Sequence, residues 1–231
     1  MGNKNPSSSV PYKKEDIIPY QQKNHICKIY MYLGDQLCGL SNGFFCLIPY
    51  PDKNHLIHAL ITTYRTISEK TITNNKEIKL TLNNDKVKKT IKIGKDRKIY
   101  ISKEYDTTII EIKPEKDKIH YFLELDENLI EDNSNDIFNQ KNIYLICYGK
   151  ENKMDMYEGT IKEIEGNEIR HISNTESGSG GCPILSITSF KVVGIHLGRT
   201  PHEYKKGILL NGPLKEFMNG EKVFNFEEND N

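Results

Sequence analysis

The chain has 231 residues, enough for one large domain or two small ones with a substantial core. Its 32 basic and 32 acidic residues balance, which argues against a global attraction to nucleic acid or to an anionic membrane. With 28% charged and 36% hydrophobic residues, and no run of the roughly 20 apolar residues that a membrane-spanning helix needs, the composition predicts a soluble globular protein.

Residues 1–24 are polar and interrupted by prolines, which predicts a flexible N-terminal segment without the apolar core of a secretory signal. Gly2 follows Met1 as in N-myristoylation sites, but Pro6 stands where that motif has serine or threonine, so we do not expect lipidation. An odd number of scattered cysteines, without disulfide or metal-ligand spacing, favours a reducing, cytoplasmic location. The cysteines are Cys27, Cys38, Cys46, Cys147 and Cys182.

Short runs of β-branched and aromatic residues follow one another from about residue 25 onwards, separated by Asn, Asp, Gly and Lys. Alternation of polar and apolar residues is clear in "EIKLTL", "KTIKI" and "TTIIEIK", and it predicts strands of an all-β barrel or sandwich. Helical segments are few: a short turn after Tyr64, the segment 117–129, and "PLKEFMNG" from Pro213 to Gly220. The acidic residues after Gly220 predict a frayed tail.

Three segments, in order, resemble the trypsin-like (chymotrypsin-fold, PA-clan) serine peptidases, in particular their non-secreted branch without disulfides. They are "SNGFFCLIPYPDKNHLIHALITTYRTI", "YDTTIIEIK" and "GSGGCPILSITSFKVVGIHLG". The resemblance implies a double β-barrel, with two antiparallel six-stranded barrels and a short C-terminal helix. It places the first barrel at residues 25–117, the second at 118–217 and the acidic tail at 218–231.

The resemblance assigns the three catalytic positions to Arg65, Asp106 and Gly180. In this family a serine hydroxyl attacks the substrate carbonyl, a histidine takes its proton, and an aspartate orients the histidine. Asp106 keeps the carboxylate, but Arg65 stands at the histidine position, and a guanidinium cannot accept a proton. Gly180 stands at the serine position, because residues 178–183 match the family loop Gly-x-Ser-Gly-small-Pro without a gap.

Neighbouring nucleophiles and bases fit the family pattern less well. Ser179 precedes the matched position by one residue, so its use needs an inserted residue that disturbs the turn aiming the hydroxyl. Cys182 lies two residues beyond the matched position and lacks a matched histidine, so we expect a buried thiol. His55 and His58 occur too early in the chain to supply the base.

Substitution of both proton-transferring groups predicts a pseudoprotease, because removal of either group alone costs about 10⁶ in turnover. An unpaired carboxylate in the former catalytic centre is costly, so we expect Asp106 to form an ion pair with Arg65. The sequence therefore favours a protein that is not an enzyme, although the family is one of hydrolases.

A peptide-binding groove is compatible with these losses. The resemblance places His171 and His196, with Gly178 and Gly181, at the substrate-binding positions, although both histidines also fit an ordinary barrel wall. Three functions stay open: binding of a peptide or protein, hydrolysis by a shifted Ser179, and a structural or regulatory barrel with a closed cleft. No cofactor, metal or nucleic acid is expected, and the sequence does not fix the oligomeric state.

Overall fold

The computed structural model describes residues 23–33, 36–149, 153–199 and 204–226. The predicted N-terminal segment up to residue 22, with Gly2, lies outside the described residues. Within the described ranges the chain is mostly β, with short helices between strands. None of these helices has the length and apolar character that crossing a bilayer requires.

The N-terminal half of the chain forms one eight-stranded sheet. Along its main path the strand order is β5-β4-β1-β2-β3-β7-β6, and β8 pairs with β2 in parallel. Alternation decides which face is buried: in β4, Ile78, Leu80 and Leu82 face the core while Glu77 and Lys79 are exposed. The strands are β1 Ile26–Leu33, β2 Gln36–Pro49, β3 Leu56–Thr62, β4 Glu77–Leu82, β5 Val87–Lys92, β6 Ile99–Ser102, β7 Thr107–Glu111 and β8 Leu123–Glu124.

The C-terminal half forms a closed barrel in the order β10-β11-β14-β13-β12-β9, with antiparallel neighbours. Its strands are β9 Asn142–Tyr148, β10 Met154–Glu165, β11 Glu168–Ser173, β12 Pro183–Ser186, β13 Val192–Arg199 and β14 Lys205–Leu209. The helices are α1 Glu69–Asn74, α2 Pro114–Asp117, α3 Ser134–Phe138 and α4 Asn211–Met218, with a 3-10 helix at Glu127–Ile130.

The sequence predicts two closed six-stranded barrels, and the structure has one closed barrel and one open sheet. The C-terminal barrel agrees with the prediction in its strand number and closure. In the N-terminal half, the outer edge of β6 is occupied by residues from beyond α4. The Ile101 N–H donates to Lys222 O over 3.2 Å, and the Phe224 N–H donates to Ile99 O over 2.7 Å. Residues 222–224, predicted as part of a frayed tail, therefore lie along this edge.

The predicted helix over 117–129 is wrong, whereas the helix near Pro213 is present. In the first segment Leu123 pairs with Cys46 of β2 and is buried, so sheet pairing overrides the helical pattern. Asp126 then caps the 3-10 helix through its side chain. Helix α4 begins two residues before Pro213 and is followed by Gly220 at a φ of +77°, as expected of a helix C-terminus.

The two halves share one hydrophobic core. Phe44 and Ile61 of the sheet belong to the same buried cluster as Leu145 and Val193 of the barrel. A second cluster lies within the N-terminal half alone and includes Ile29, Phe45, Leu60 and Ile110. The sheet and the barrel pack against each other through the larger cluster. The loops at this contact are therefore held close together.

Candidate active-site cleft

Arg65 and Asp106 meet because their strands are neighbours. Arg65 follows β3 in a tight turn, Asp106 directly precedes β7, and the two strands pair with Thr62 opposite Thr108. Arg65 Nε donates to Asp106 Oδ2 over 2.6 Å, and the Arg65 backbone N–H donates to Oδ1 over 3.1 Å. The ion pair predicted from the sequence is present.

A third hydrogen bond ties Arg65 to the barrel. Its Nη2 donates to the carbonyl oxygen of Leu197 in β13 over 2.8 Å. The guanidinium therefore bridges the sheet and the barrel, while its side chain remains 64% exposed. This bridge holds a positive charge at the position that the resemblance matches to the proton acceptor of the family.

The loop between β11 and β12 depends on two glycines. Gly178 and Gly181 have φ angles of +92° and +88°, a region in which residues with a side chain are strained. At Gly181 a Cβ atom would also overlap the carbonyl oxygen of Asn42. The Gly181 N–H donates to His196 O over 2.8 Å, and Gly180 O accepts from the Asn42 N–H over 3.0 Å. The loop is thereby attached to both halves.

Gly180 and Arg65 both lie near the carbonyl oxygen of Leu197. A Cβ atom built on Gly180 would lie 3.4 Å from Leu197 O, the same oxygen that accepts the hydrogen bond from Arg65 Nη2. A side chain at position 180 would thus be next to the guanidinium. The two positions that the resemblance matches to nucleophile and base are neighbours, but neither carries the group that the reaction needs.

The Ser179 hydroxyl is held inside the loop. Ser179 is 2% exposed, and its Oγ donates to the carbonyl oxygen of Glu176 over 2.7 Å. Its Oγ also lies 3.1 Å from Nε2 of His196, so the serine has a histidine neighbour. With its proton donated to Glu176, the hydroxyl accepts from the N–H tautomer of His196, which is the reverse of the bond that activates a nucleophile.

A second histidine continues this chain into the barrel. His196 Nδ1 lies 3.1 Å from His171 Nε2, and both residues are fully buried. Burial lowers the pKa of His171 to about 4, and the nearby Lys205 charge adds to this effect. Burial also lowers the pKa of His196 well below its ordinary value, assisted by His171 and Lys205. Both rings are therefore neutral at pH 7.

Two cavities adjoin the loop and share Ser177 and Gly178 in their walls. The first, of about 480 Å³, lies against the barrel; its lining is Thr175, Glu176, Ser177, Gly178, Ser179, Gly180, Leu197, Gly198 and Lys205. The second, of about 490 Å³, lies between sheet and barrel; its lining is Lys28, Gly39, Leu40, Ser41, Asn42, Tyr148, Gly149, Ser177 and Gly178. Because they share two lining residues the cavities adjoin, and together they are called the groove.

The remaining predicted site residues take different places. His171 and His196 do not line the first cavity; they contact its wall through Ser179 and Thr175. Gly178 lines both cavities, and Gly181 holds the loop against Asn42.

Cys182, His55 and His58 do not line either cavity at the loop. Cys182 is fully buried, and burial raises its thiol pKa. His55 bonds to Asp52, and His58 packs on Phe122 with ring centroids 4.4 Å apart. Across the described ranges, no group of three or more His, Cys, Asp or Glu side chains is arranged to hold a metal ion.

Asn42 and Leu197 are two of the cleft residues that the sequence did not identify. Asn42 lies in β2, and its amide reaches Gly178 O at 2.9 Å and Tyr148 O at 3.3 Å, while its Oδ1 accepts from the Tyr148 N–H at 2.8 Å. Leu197 contributes only its backbone carbonyl. Neither an asparagine before a glycine nor a leucine in a strand carries a local signal of such contacts.

Solved structures of proteases share this fold. The serine endoprotease from Yersinia pestis superposes with a TM-score of 0.60 at 12% identity, covering 91% of this chain and 67% of that one. Deg5 gives 0.59 at 14% identity, covering 84% and 88%, and the inactive form of the Rv3671c protease gives 0.54 at 13%, covering 81% and 84%. At these identities the likeness establishes the fold alone.

Sequence comparison adds the family. No curated protein sequence matches the chain. The profile of the Peptidase S39 family matches residues 46–214, a stretch that holds Arg65, Asp106 and the whole loop from Gly178 to Pro183. The fold, the cleft and this match over most of the sequence lead to one conclusion: the chain belongs to the Peptidase S39 family of trypsin-like serine peptidases.

Proposed function

We propose that this member of the family does not hydrolyse peptide bonds and acts by binding a peptide or protein segment in its cleft. The observation that carries the proposal is the bridge from Arg65 to Asp106 and to Leu197 O, with Gly180 beside it. Arg65 binds both oxygens of Asp106, the carboxylate that would orient a catalytic histidine. Gly180 has no hydroxyl. Acyl transfer needs both groups, since the nucleophile must lose its proton as it attacks.

The cleft supports binding rather than a purely structural role. Cavities of about 480 and 490 Å³ remain on either side of the loop, each within the range of sites that hold a side chain or a small ligand. A barrel whose cleft had closed would have filled this space with side chains. An extended segment lying along the groove is the kind of ligand that such a surface accepts.

Hydrolysis by Ser179 is the second candidate, because His196 Nε2 lies 3.1 Å from its Oγ with His171 behind it. Two observations weigh against it. The hydroxyl is almost completely buried, and it donates its hydrogen bond to Glu176 O. An attacking oxygen must instead reach a substrate carbonyl at about 3 Å.

A fluorophosphonate probe separates the two candidates. We expect no covalent labelling of the purified protein, because none of the described hydroxyl groups in the cleft has an accessible proton acceptor. Mass spectrometry of the intact chain measures the adduct, with an active trypsin-like peptidase as the positive control. Labelling of the wild-type chain that disappears in Ser179→Ala would establish the second candidate instead.

The partner class and the location remain those predicted from the sequence: a peptide or protein rather than nucleic acid, in a reducing compartment. All five cysteines are free thiols, which is consistent with such a compartment.

A further inference from the structure

The Arg65 guanidinium has more hydrogen-bond donors than its contacts use. Of its five N–H donors, one reaches Asp106 and one reaches Leu197 O. No described residue accepts a bond from the rest, and the side chain is 64% exposed. The guanidinium borders a third cavity, of about 390 Å³ beside β1 and α1, and it reaches the cavity at the loop through its bond to Leu197 O.

The loop beside it has unused donors as well. No described residue accepts a hydrogen bond from the backbone N–H of Gly178, Ser179 or Gly180, and all three residues line the cavity against the barrel. Consecutive unpaired N–H groups attract anions, because their partial positive charges add. Arg65 Nη2 lies 2.8 Å from Leu197 O, and a Cβ atom at position 180 would lie 3.4 Å from the same oxygen, so the cation is close to the Gly180 end of the loop.

Nearby carboxylates do not compete for this place. Asp106 is engaged by Arg65 through both of its oxygens. Glu176 also lines the cavity, but its carboxylate lies toward Gly149, where a Cβ atom would be 2.8 Å from its Oε2. Lys205 adds a positive charge to the same cavity. The absence of a side chain at Gly180 leaves space next to the guanidinium.

We propose that the cleft binds the free carboxylate at the C-terminus of a peptide, with Arg65 as its counter-ion and the N–H groups of Gly178–Gly180 as hydrogen-bond donors. The inference rests on the proposed peptide-binding function and adds the class of ligand. An internal peptide bond has no charge, so the fixed cation favours a chain end. Guanidinium and carboxylate form strong charge-assisted hydrogen bonds when partly shielded from water.

The test compares two ligands that differ at one group. A pool of N-terminally fluorescein-labelled hexapeptides with free C-termini, and the same pool amidated at the C-terminus, are titrated with the full chain by fluorescence anisotropy. We expect the free-acid pool to bind at least about tenfold more tightly, and this preference to weaken with added salt. This comparison uses the wild-type chain only, so it does not depend on how a variant folds.

Two variants assign the preference to Arg65. Arg65→Gln is expected to bind both pools equally, whereas Arg170→Gln, which removes an exposed arginine on β11 outside the cleft, keeps the tenfold preference. Equal binding of both pools by the wild-type chain overturns the carboxylate site but leaves peptide binding standing. Binding of neither pool overturns the proposed function as well. A preference that survives in Arg65→Gln shows that another group recognises the carboxylate.

Discussion

At the position that the resemblance matches to the catalytic base stands the cation of Arg65, and at the position matched to the nucleophile stands Gly180, which has no hydroxyl. The Arg65 backbone N–H donates to Asp106, and Leu197 O would lie 3.4 Å from a Cβ atom at position 180. The space at Gly180 is also sufficient for a side chain, since the nearest atom to a Cβ is 3.4 Å away. The contact between Arg65 and Asp106 and the space at Gly180 are both compatible with a catalytic set at these positions.

Restoring both groups should therefore restore nucleophilic chemistry. We expect the double variant Arg65→His with Gly180→Ser to be labelled by a fluorophosphonate, because the imidazole can take the hydroxyl proton and Asp106 can orient the imidazole. The measurement is the mass of the intact chain after incubation with the probe. Each single variant serves as a control and should stay unlabelled, since one lacks the oxygen and the other lacks the base. Labelling of neither the double nor the single variants would show that the loop does not have catalytic geometry.

At the scale of elements, the loop from Gly178 to Pro183 is positioned by contacts with β2 as much as by its own turn. Gly181 lies against the carbonyl oxygen of Asn42 and has a positive φ, so any side chain there must move β2 or the loop. Gly180 lacks both constraints, because its φ is ordinary and its surroundings are open. The loop therefore requires glycine at position 181, whereas a side chain is sterically tolerated at position 180.

Alanine at these two positions should have unequal effects on stability. We expect Gly181→Ala to lower the free energy of unfolding by about 3 kcal/mol or more, from backbone strain together with the overlap at Asn42 O. Gly180→Ala is the matched control and should change it by less than about 1 kcal/mol. Urea unfolding followed by circular dichroism gives both values. Equal losses for the two variants would contradict the close approach of β2 to the loop.

At the scale of the whole molecule, the buried histidines link stability to pH. The lowered pKa values of His171 and His196 mean that the folded chain stays unprotonated there below pH 6.5, while the unfolded chain takes up protons. Stability is therefore full above pH 6.5 and falls as the pH drops toward 4. Each histidine contributes about 1.4 kcal/mol per pH unit in this window.

Urea unfolding at pH 7.5 and pH 5.5 tests this linkage. We expect the wild-type chain to lose roughly 3 kcal/mol between the two values from the histidine pair. His171→Gln should lose about half as much from this source, because one of the two groups is gone. His120→Gln, at an exposed histidine, is the matched control and should behave as the wild type. If the wild-type and His171→Gln chains lost the same free energy of unfolding, the buried histidine pair would not be the cause of the pH dependence.

The parts of the molecule that the sequence could predict are those governed by local pattern and chain order. Strand alternation predicts β4 and β7, and the ion pair expected between Arg65 and Asp106 is present. Contacts between distant segments could not be read in this way. Asn42 reaches Gly178 across most of the chain, and the segment around Leu123 becomes a strand only because β2 offers it a partner. Whether a sheet stays open or closes into a barrel also depends on contacts between distant segments.

The residues that follow α4 have one further implication, for the order of events during synthesis. Lys222 accepts a hydrogen bond from β6 and Phe224 donates one to it. Phe224 and Phe226 also pack against the core of the N-terminal half. A nascent chain that has already made β1 through β8 still lacks the segment that covers this edge. The N-terminal sheet therefore leaves the ribosome with the β6 edge unpaired. This edge is covered only after the barrel has been translated. During that interval the edge is open to chaperones, or to pairing with a second unfinished chain.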